Sequence, residues 1–215
     1  MKDRQTSYAL RGFLGFGLGG LAIAALGFLQ WPAQEAPLAV SAVVAVLTWL
    51  VGSAIAGATL ADKIRGKILL STALTFGVIS TLGMLGGTWV ADLLPLSAPR
   101  RPESFLDQVL CNLPSGVADG VVLGLAVGLG ALYLDRYLGI QGRHQFQVWL
   151  CAFLSFAVSG SVMSVIIRPF ISTVWEHPDF TGTPLTFALG GLVFGLCLDA
   201  LKRRRLSEED AVEPR

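Results

Sequence analysis

The chain has 215 residues, of which 53% are apolar and only 14% are charged, whereas soluble domains carry about 25% charged residues. So few charged side chains cannot keep the surface of a soluble domain solvated. The composition therefore argues against a soluble enzyme, a secreted disulfide scaffold and a disordered chain.

Long windows without a charged residue separate the charges. They cover residues 12–34, 36–61, 68–91, 120–134, 145–167 and 180–198. About 20 apolar residues in a helix cross a hydrocarbon core about 30 Å thick. Five windows meet or nearly meet that length, and the fourth meets it if Asp119 is admitted near its start. The sequence therefore predicts an all-α polytopic bundle of six transmembrane helices, in one domain of residues 1–205 with a polar tail of residues 206–215.

In chain order, the predicted helices cover about residues 10–30, 38–61, 67–91, 116–136, 146–168 and 184–202. Between the third and fourth, apolar residues recur at helical spacing from about 103 to 113, between Pro102 and Pro114. This pattern predicts a short amphipathic helix lying at the outer interface. Two alternatives are a half-helix folded into the mouth of the bundle and one continuous helix kinked at Pro114.

The cations are distributed unequally between the two predicted sides of the membrane. Thirteen Lys and Arg residues fall in the termini and alternate connections, and only Arg100, Arg101 and Arg168 fall in the remaining connections. The positive-inside rule then predicts that both termini are cytoplasmic, and the cell (inner) membrane is the expected location. The basic cluster at 202–205 is interpreted as an anchor to anionic lipid, and no nucleic-acid partner is expected.

Glycines recur at helical spacing and mark helix faces without side chains. Four of them stand four residues apart on helix four, and two more repeat this spacing on helix six: Gly116, Gly120, Gly124, Gly128, Gly191 and Gly195. Each costs about 1 kcal/mol relative to alanine in a helix, so a compensating gain is expected from close helix approach. The glycine faces would pack against another helix of the same bundle or of a second protomer. Alternatively, they would let helices slide during gating or would expose backbone carbonyls to a permeating solute.

Three acids stand at the predicted inner ends of the even-numbered helices: Asp62, Asp135 and Asp199. A carboxylate there faces the negative end of the helix macrodipole, which disfavours it. Pairing with neighbouring cations is one explanation. A ring of acids around an inner vestibule, which would concentrate a cation, is the other.

Asp119 is the one acid predicted inside the membrane, in the first turn of helix four on the outer side. Capping of that helix explains its position, but intramembrane ionisable residues also mark functional sites. With Arg168, Glu176, His177 and Asp179 of the next outer connection, it forms a candidate external binding site. Trp49 falls in the middle of helix two, where its indole N–H needs a partner inside the bundle.

No catalytic motif accompanies these features, and no cofactor or metal is expected, since both histidines fall in connections. The first functional hypothesis is a small-solute or ion transport component, either a small transporter or channel or the membrane subunit of an uptake system. The alternative is a non-transporting scaffold or accessory subunit that docks a larger complex through its glycine faces. Beyond the lipid bilayer, partner subunits or a homo-oligomer are possible partners. In size, six crossings and cytoplasmic termini, the outline resembles small substrate-capture subunits of vitamin uptake systems.

Overall fold

The computed structural model describes residues 7–29, 38–60, 66–92, 104–138, 145–167, 170 and 178–212. Over these residues the chain is helical and contains no strand, which confirms the all-α prediction. The six helices are α1 (Tyr8–Leu29), α2 (Leu38–Leu60), α3 (Gly66–Asp92), α4 (Phe105–Leu138), α5 (Gln145–Val162) and α6 (Pro178–Val212). A π-helical turn, Met163–Ile167, continues α5.

Four helices contain stretches that are long and apolar enough to cross a membrane. The stretches are Tyr8–Leu26, Phe105–Leu132, Gln145–Ile167 and Gly182–Arg204. The other two helices, α2 and α3, contribute shorter apolar stretches at Val46–Leu60 and Ala73–Gly86.

Helix α4 is continuous through Pro114, so the prediction of separate helices at 103–113 and 116–136 is wrong. The helix begins where Ser104 caps it: the Ser104 Oγ accepts the Asp107 N–H at 3.1 Å and donates to the Asp107 carboxylate at 2.8 Å. Such a cap satisfies a first-turn donor and favours an early start. Pro114 then removes one backbone hydrogen bond, and this loss does not end the helix.

Helix α6 also extends past both of its predicted ends. It begins at Pro178 rather than near residue 184, and it continues to Val212 rather than 202. Proline is favoured at the first helical position because its missing N–H has no partner there. Pro184 lies inside the helix, and the residues beyond 202 include Arg, Leu and Glu, which favour helix.

The helices form a closed ring. Each helix packs against its neighbours in chain order, and α6 packs extensively against α1. The strongest contacts of the described residues all follow this order. The ring consequently has an interior lined by all six helices.

Phenylalanine side chains fill the middle of the ring. The ring of Phe16 on α1 lies 6.0 Å from Phe76 on α3, 4.7 Å from Phe156 on α5 and 6.4 Å from Phe194 on α6, measured between centroids. All four side chains are fully buried. Such aromatic pairs favour tilted and edge-to-face geometry. We call this cluster the aromatic plug.

Glycines lie where α4 approaches α5. A Cβ at Gly116 would lie 2.5 Å from a methyl carbon of Val165, and one at Gly124 would lie 2.5 Å from the Phe153 carbonyl oxygen. At Gly120 it would collide with the backbone of α5, and at Gly128 it would lie 3.1 Å from the Trp149 ring nitrogen. This face of α4 is occupied by α5 of the same chain.

The first and last helices approach each other as closely. A Cβ at Gly12 would collide with the carbonyl of Gly191, and one at Gly191 would collide with that of Gly12. Nearer the start of α1, a Cβ at Gly195 would collide with the Tyr8 carbonyl. Without side chains at these positions, the two backbones meet directly and the ring closes.

The outer surface of the ring is apolar. Large aliphatic side chains repeat on the exposed faces of the helices, as in these examples from α1 and α4: Leu10, Leu14, Leu18, Leu21, Val117, Val121, Leu125 and Leu129. Soluble proteins rarely expose contiguous apolar faces of this extent. A hydrocarbon environment explains such a surface.

Replacing Gly124 by alanine is expected to destabilise the protein, because the new methyl group would press on the backbone of α5. Overpacking of this kind costs about 1–3 kcal/mol. The matched control is Gly86→Ala on α3, where a Cβ would meet nothing within 4 Å; alanine there is expected to be neutral or to stabilise by up to about 1 kcal/mol. Thermal unfolding in detergent measures both, and equal melting temperatures for the two variants would contradict this packing.

Candidate functional site

A cavity of about 180 Å³ opens inside the ring, toward the end at which α3 and α5 terminate. Five helices line it. The lining residues are Trp49, Met84, Asp119, Leu123, Gly160, Met163, Ser164, Gly182, Thr183, Thr186 and Phe187. Concave, mostly apolar sites with a few polar groups are the usual form of small-molecule sites.

The cavity lies directly against the aromatic plug. Phe187 on α6 is among its lining residues, and its ring lies 6.0 Å from that of Phe156 in the plug. The ring of Trp49 lies 5.6 Å from that of Phe187. Two aromatic residues therefore line the cavity, and the plug behind Phe187 fills the middle of the ring.

Asp119 brings a charge to this cavity. It is an exposed residue of α4, and it is the fifteenth residue of a helix that begins at Phe105. The expectation that Asp119 lies in a first helical turn is therefore wrong, because the helix starts much earlier. The favourable end of the macrodipole acts only within about the first turn, so capping does not account for this carboxylate.

The π-helical turn Met163–Ile167 places two further residues on the cavity, Met163 and Ser164. Opposite, Gly182 of α6 leaves room for the methionine, since a Cβ there would lie 2.5 Å from the Met163 methyl carbon. Isolated π-helical turns occur frequently at functional sites. Here one coincides with the wall of the cavity.

The other predicted outer residues are not brought to the cavity by the described structure. Arg168, Glu176 and His177 lie outside the described residues, and Asp179 lies in the first turn of α6. Their assignment to an external binding site stays a prediction. In the part of the chain that the structure describes, no three His, Cys, Asp or Glu side chains are grouped to hold a metal ion.

Of the three predicted vestibule acids, Asp199 has a defined structural environment. Its two carboxylate oxygens accept the backbone N–H groups of Tyr8 at 3.0 Å and Ala9 at 3.2 Å. The Ser7 Oγ accepts the next N–H, that of Leu10, at 3.3 Å. Asp199 thus caps α1 from the opposite end of the chain, where the macrodipole favours an anion.

The position of Asp199 in its own helix also differs from the prediction. Because α6 continues to Val212, Asp199 does not stand at a helix end, and the unfavourable macrodipole of that end does not act on it. Asp135 lies in the last turn of α4, and Asp62 lies outside the described residues. Whether these acids form a vestibule stays a prediction.

Sequence reasoning missed most of the cavity wall. Met84 and Met163 are the two methionines that follow Met1, and both line the cavity. Both methionines lie near the predicted outer ends of their helices, three and five. Their similar depth in the membrane could have indicated that they line one site. Phe187 and Thr186 carried no such signal, since apolar and hydroxyl residues occur throughout the helices. Trp49 was singled out as mid-helix, and it does face the interior.

Four apolar helices of spanning length and an apolar outer surface indicate an integral membrane protein. Comparison of the chain with protein-family models, with curated proteins and with solved structures finds no match. The ring, its plug and its cavity are therefore the features of the molecule that indicate a function.

Removing the Asp199 carboxylate is expected to destabilise the junction of α1 and α6. Asp199→Ala leaves two first-turn N–H groups without their acceptor, a loss of about 0.5–2 kcal/mol, which lowers the melting temperature by about 2–4 °C for each kcal/mol. Asp199→Asn keeps one acceptor oxygen and should lose less. Thermal unfolding in detergent ranks the variants, and an alanine variant as stable as the wild type would refute the capping role.

Proposed function

We propose that this protein is a membrane transport component for a small solute or an ion, with six spans and both termini in the cytoplasm. It acts alone or as the membrane subunit of an uptake system in the cell (inner) membrane. The observation that carries the proposal is the one-sided cavity inside a closed ring of helices, with a carboxylate on its wall. The proposal assigns the chain no catalytic step.

The number of spans is supported by the ring itself. Helices α2 and α3 have 23 and 27 residues, and about 20 residues suffice to cross a hydrocarbon core. The pair α2 and α3 packs between two helices of spanning length, with α2 against α1 and α3 against α4. A ring in which all six helices cross the bilayer accounts for these contacts.

The orientation is supported by the location of the cations. The start of α1 and the basic segment of α6 meet at the end of the ring opposite the cavity, where the Lys202 Nζ lies 5.1 Å from the centre of the Tyr8 ring. Arg11 approaches the same ring, with 5.7 Å between its guanidinium carbon and the ring centre. If this basic end is cytoplasmic, the cavity opens to the outside.

The plug and the cavity together favour transport over a purely structural role. A scaffold needs a fully packed interior, whereas this interior is packed at the plug and open beside Asp119. The glycine face of α4, which a scaffold could present to a partner, is used against α5. A solute site that is open toward one side and closed toward the other by packed side chains suits the solute-free state of an alternating-access transporter.

Filling the cavity is expected to stop solute movement without unfolding the protein. Met84→Trp places a larger side chain in the cavity, whereas Leu85→Trp, its neighbour on α3, places the same side chain on the exposed outer face. The chain is purified from native membranes in mild detergent with any partner subunit, reconstituted in liposomes, and assayed for uptake of labelled Na⁺, K⁺, methylammonium, alanine and glycerol. Uptake of at least one solute should be lost in Met84→Trp and kept in Leu85→Trp.

Two outcomes would overturn the proposal. One is that neither the chain alone nor its co-purified complex moves any of these solutes. The other is uptake that both tryptophan variants retain at the wild-type rate, since solute would then bypass the cavity. Thermal unfolding of each variant separates loss of uptake from loss of fold.

A further inference from the structure

We infer that Cys151 and Cys197 are a redox-sensitive thiol pair, which hydrogen peroxide oxidises to a disulfide that ties α5 to α6 at the end of the ring opposite the cavity. The inference rests on the proposed transport function and deepens it by naming how the transport path is regulated. Three observations carry it: the contact between the two thiols, the packing that aligns them and the place of this contact in the ring.

The two thiols meet across the interface of α5 and α6. A side-chain hydrogen bond joins Cys151 to Cys197, and both cysteines are free. A disulfide requires two side chains that face each other, with a sulfur–sulfur bond of about 2.05 Å. Because the hydrogen bond already holds the two sulfur atoms side by side, disulfide formation needs only a small movement of the side chains.

Separate contacts fix the register of α5 and α6 at the cysteines. A Cβ at Gly190 of α6 would lie 2.8 Å from the Ser159 Oγ of α5. Cys197 follows Gly190 by seven residues, and Cys151 precedes Ser159 by eight, which is about two helical turns in each case. Antiparallel helices that touch at Gly190 and Ser159 therefore meet again at the two cysteines. The packing of the interface, and not one side-chain rotamer alone, brings the thiols together.

The interface of α5 and α6 is the least extensive in the ring. As far as the structure describes the helices, every other pair of neighbours in the ring shares more contacts. Local opening costs least free energy where few contacts are lost. The ring is therefore expected to open at this interface, where a covalent bond between α5 and α6 would oppose opening directly.

The thiol pair also lies close to the aromatic plug. Phe156 follows Cys151 by five residues, and Phe194 precedes Cys197 by three, and both phenylalanines belong to the plug. A solute that leaves the cavity on the side of the plug requires α5 and α6 to move apart there, as alternating access demands. A disulfide between these helices would keep that side shut.

The location suits reversible oxidation. Cys197 stands two residues before Asp199, whose carboxylate caps α1, so the pair lies at the basic end of the ring. In the proposed orientation this end is cytoplasmic, where thiols are kept reduced and the disulfides that do form are usually transient and redox-sensing. Both cysteines are half-buried, which leaves them accessible to a small neutral oxidant.

The oxidation removes two electrons from the thiol pair. One thiol gives up its proton and its sulfur attacks hydrogen peroxide; the O–O bond breaks, a sulfenic acid forms, and the released hydroxide takes up the proton as water. The sulfur of the second thiol then attacks the sulfenic sulfur. The S–O bond breaks, the S–S bond forms, and the leaving hydroxide takes the second proton as another water. Dithiothreitol reverses the change by exchange and is itself oxidised to a cyclic disulfide.

The first arm of the test measures the disulfide in the purified full-length chain in detergent. After treatment with hydrogen peroxide, alkylation should label Cys111 alone, and mass spectrometry should find the peptides of Cys151 and Cys197 joined. The melting temperature should rise by about 5–15 °C and return with dithiothreitol. Cys151→Ser and Cys197→Ser should show no rise, whereas the matched control Cys111→Ser should behave like the wild type.

The second arm measures uptake into liposomes by the same proteins, with any co-purified partner subunit. Peroxide should abolish uptake by the wild type and by Cys111→Ser, and dithiothreitol should restore it. Cys151→Ser and Cys197→Ser should keep their uptake in peroxide. Because both variants retain Met84 and Met163 on the cavity wall, they also control for oxidation of these methionines.

The inference is overturned if peroxide leaves Cys151 and Cys197 open to alkylation, if they become joined without a rise in melting temperature, or if the joined wild type takes up solute at the rate of the reduced protein. Failure of the reduced wild type and its complex to move any solute would instead sink the proposed function. A peroxide-dependent disulfide that raises the melting temperature would still establish the thiol pair in that case.

Discussion

The close approach of α1 and α6 is the constraint on which the rest of the structure depends. These helices are the first and last of the chain, and the pairing of Tyr8 with Asp199 joins residues 191 positions apart. Gly12 and Gly191 let the two backbones meet, and the Asp199 carboxylate satisfies the start of α1. Without this junction the six helices would form an open row, with neither an enclosed plug nor an enclosed cavity.

Closure also decides how the interior is divided. Phe16 projects from α1 into the middle of the ring and meets phenylalanines of three other helices, which fills the central section. Toward the end opposite the α1–α6 cap, five helices line the cavity, and the π-helical turn Met163–Ile167 forms part of its wall. The interior of the ring is therefore packed with side chains in its middle and contains a cavity toward the end opposite the α1–α6 cap.

The sequence predicted those features that follow from the exclusion of charged and polar side chains from the bilayer core. Charge-free windows indicated apolar helices because a bilayer core rejects charges, and the isolated positions of Asp119 and Trp49 drew attention to two residues that line the cavity. It misplaced the helix ends at Pro114 and Pro184, because the local rule that proline ends a helix ignores packing along the rest of the segment. Ring order and the α1–α6 junction were unpredictable, since they depend on contacts between residues far apart in the chain.

The most direct test of the account is whether the cavity is open to water from one side of the membrane only. In a background with Cys111, Cys151 and Cys197 replaced by serine, Thr183→Cys lines the cavity and Leu185→Cys faces outward. A membrane-impermeant cationic thiol reagent should modify Thr183→Cys in right-side-out vesicles, leave it unmodified in inside-out vesicles, and spare Leu185→Cys in both. With no solute added, modification of Thr183→Cys from the cytoplasmic side, or of both variants at equal rates, would contradict a one-sided cavity within a closed ring.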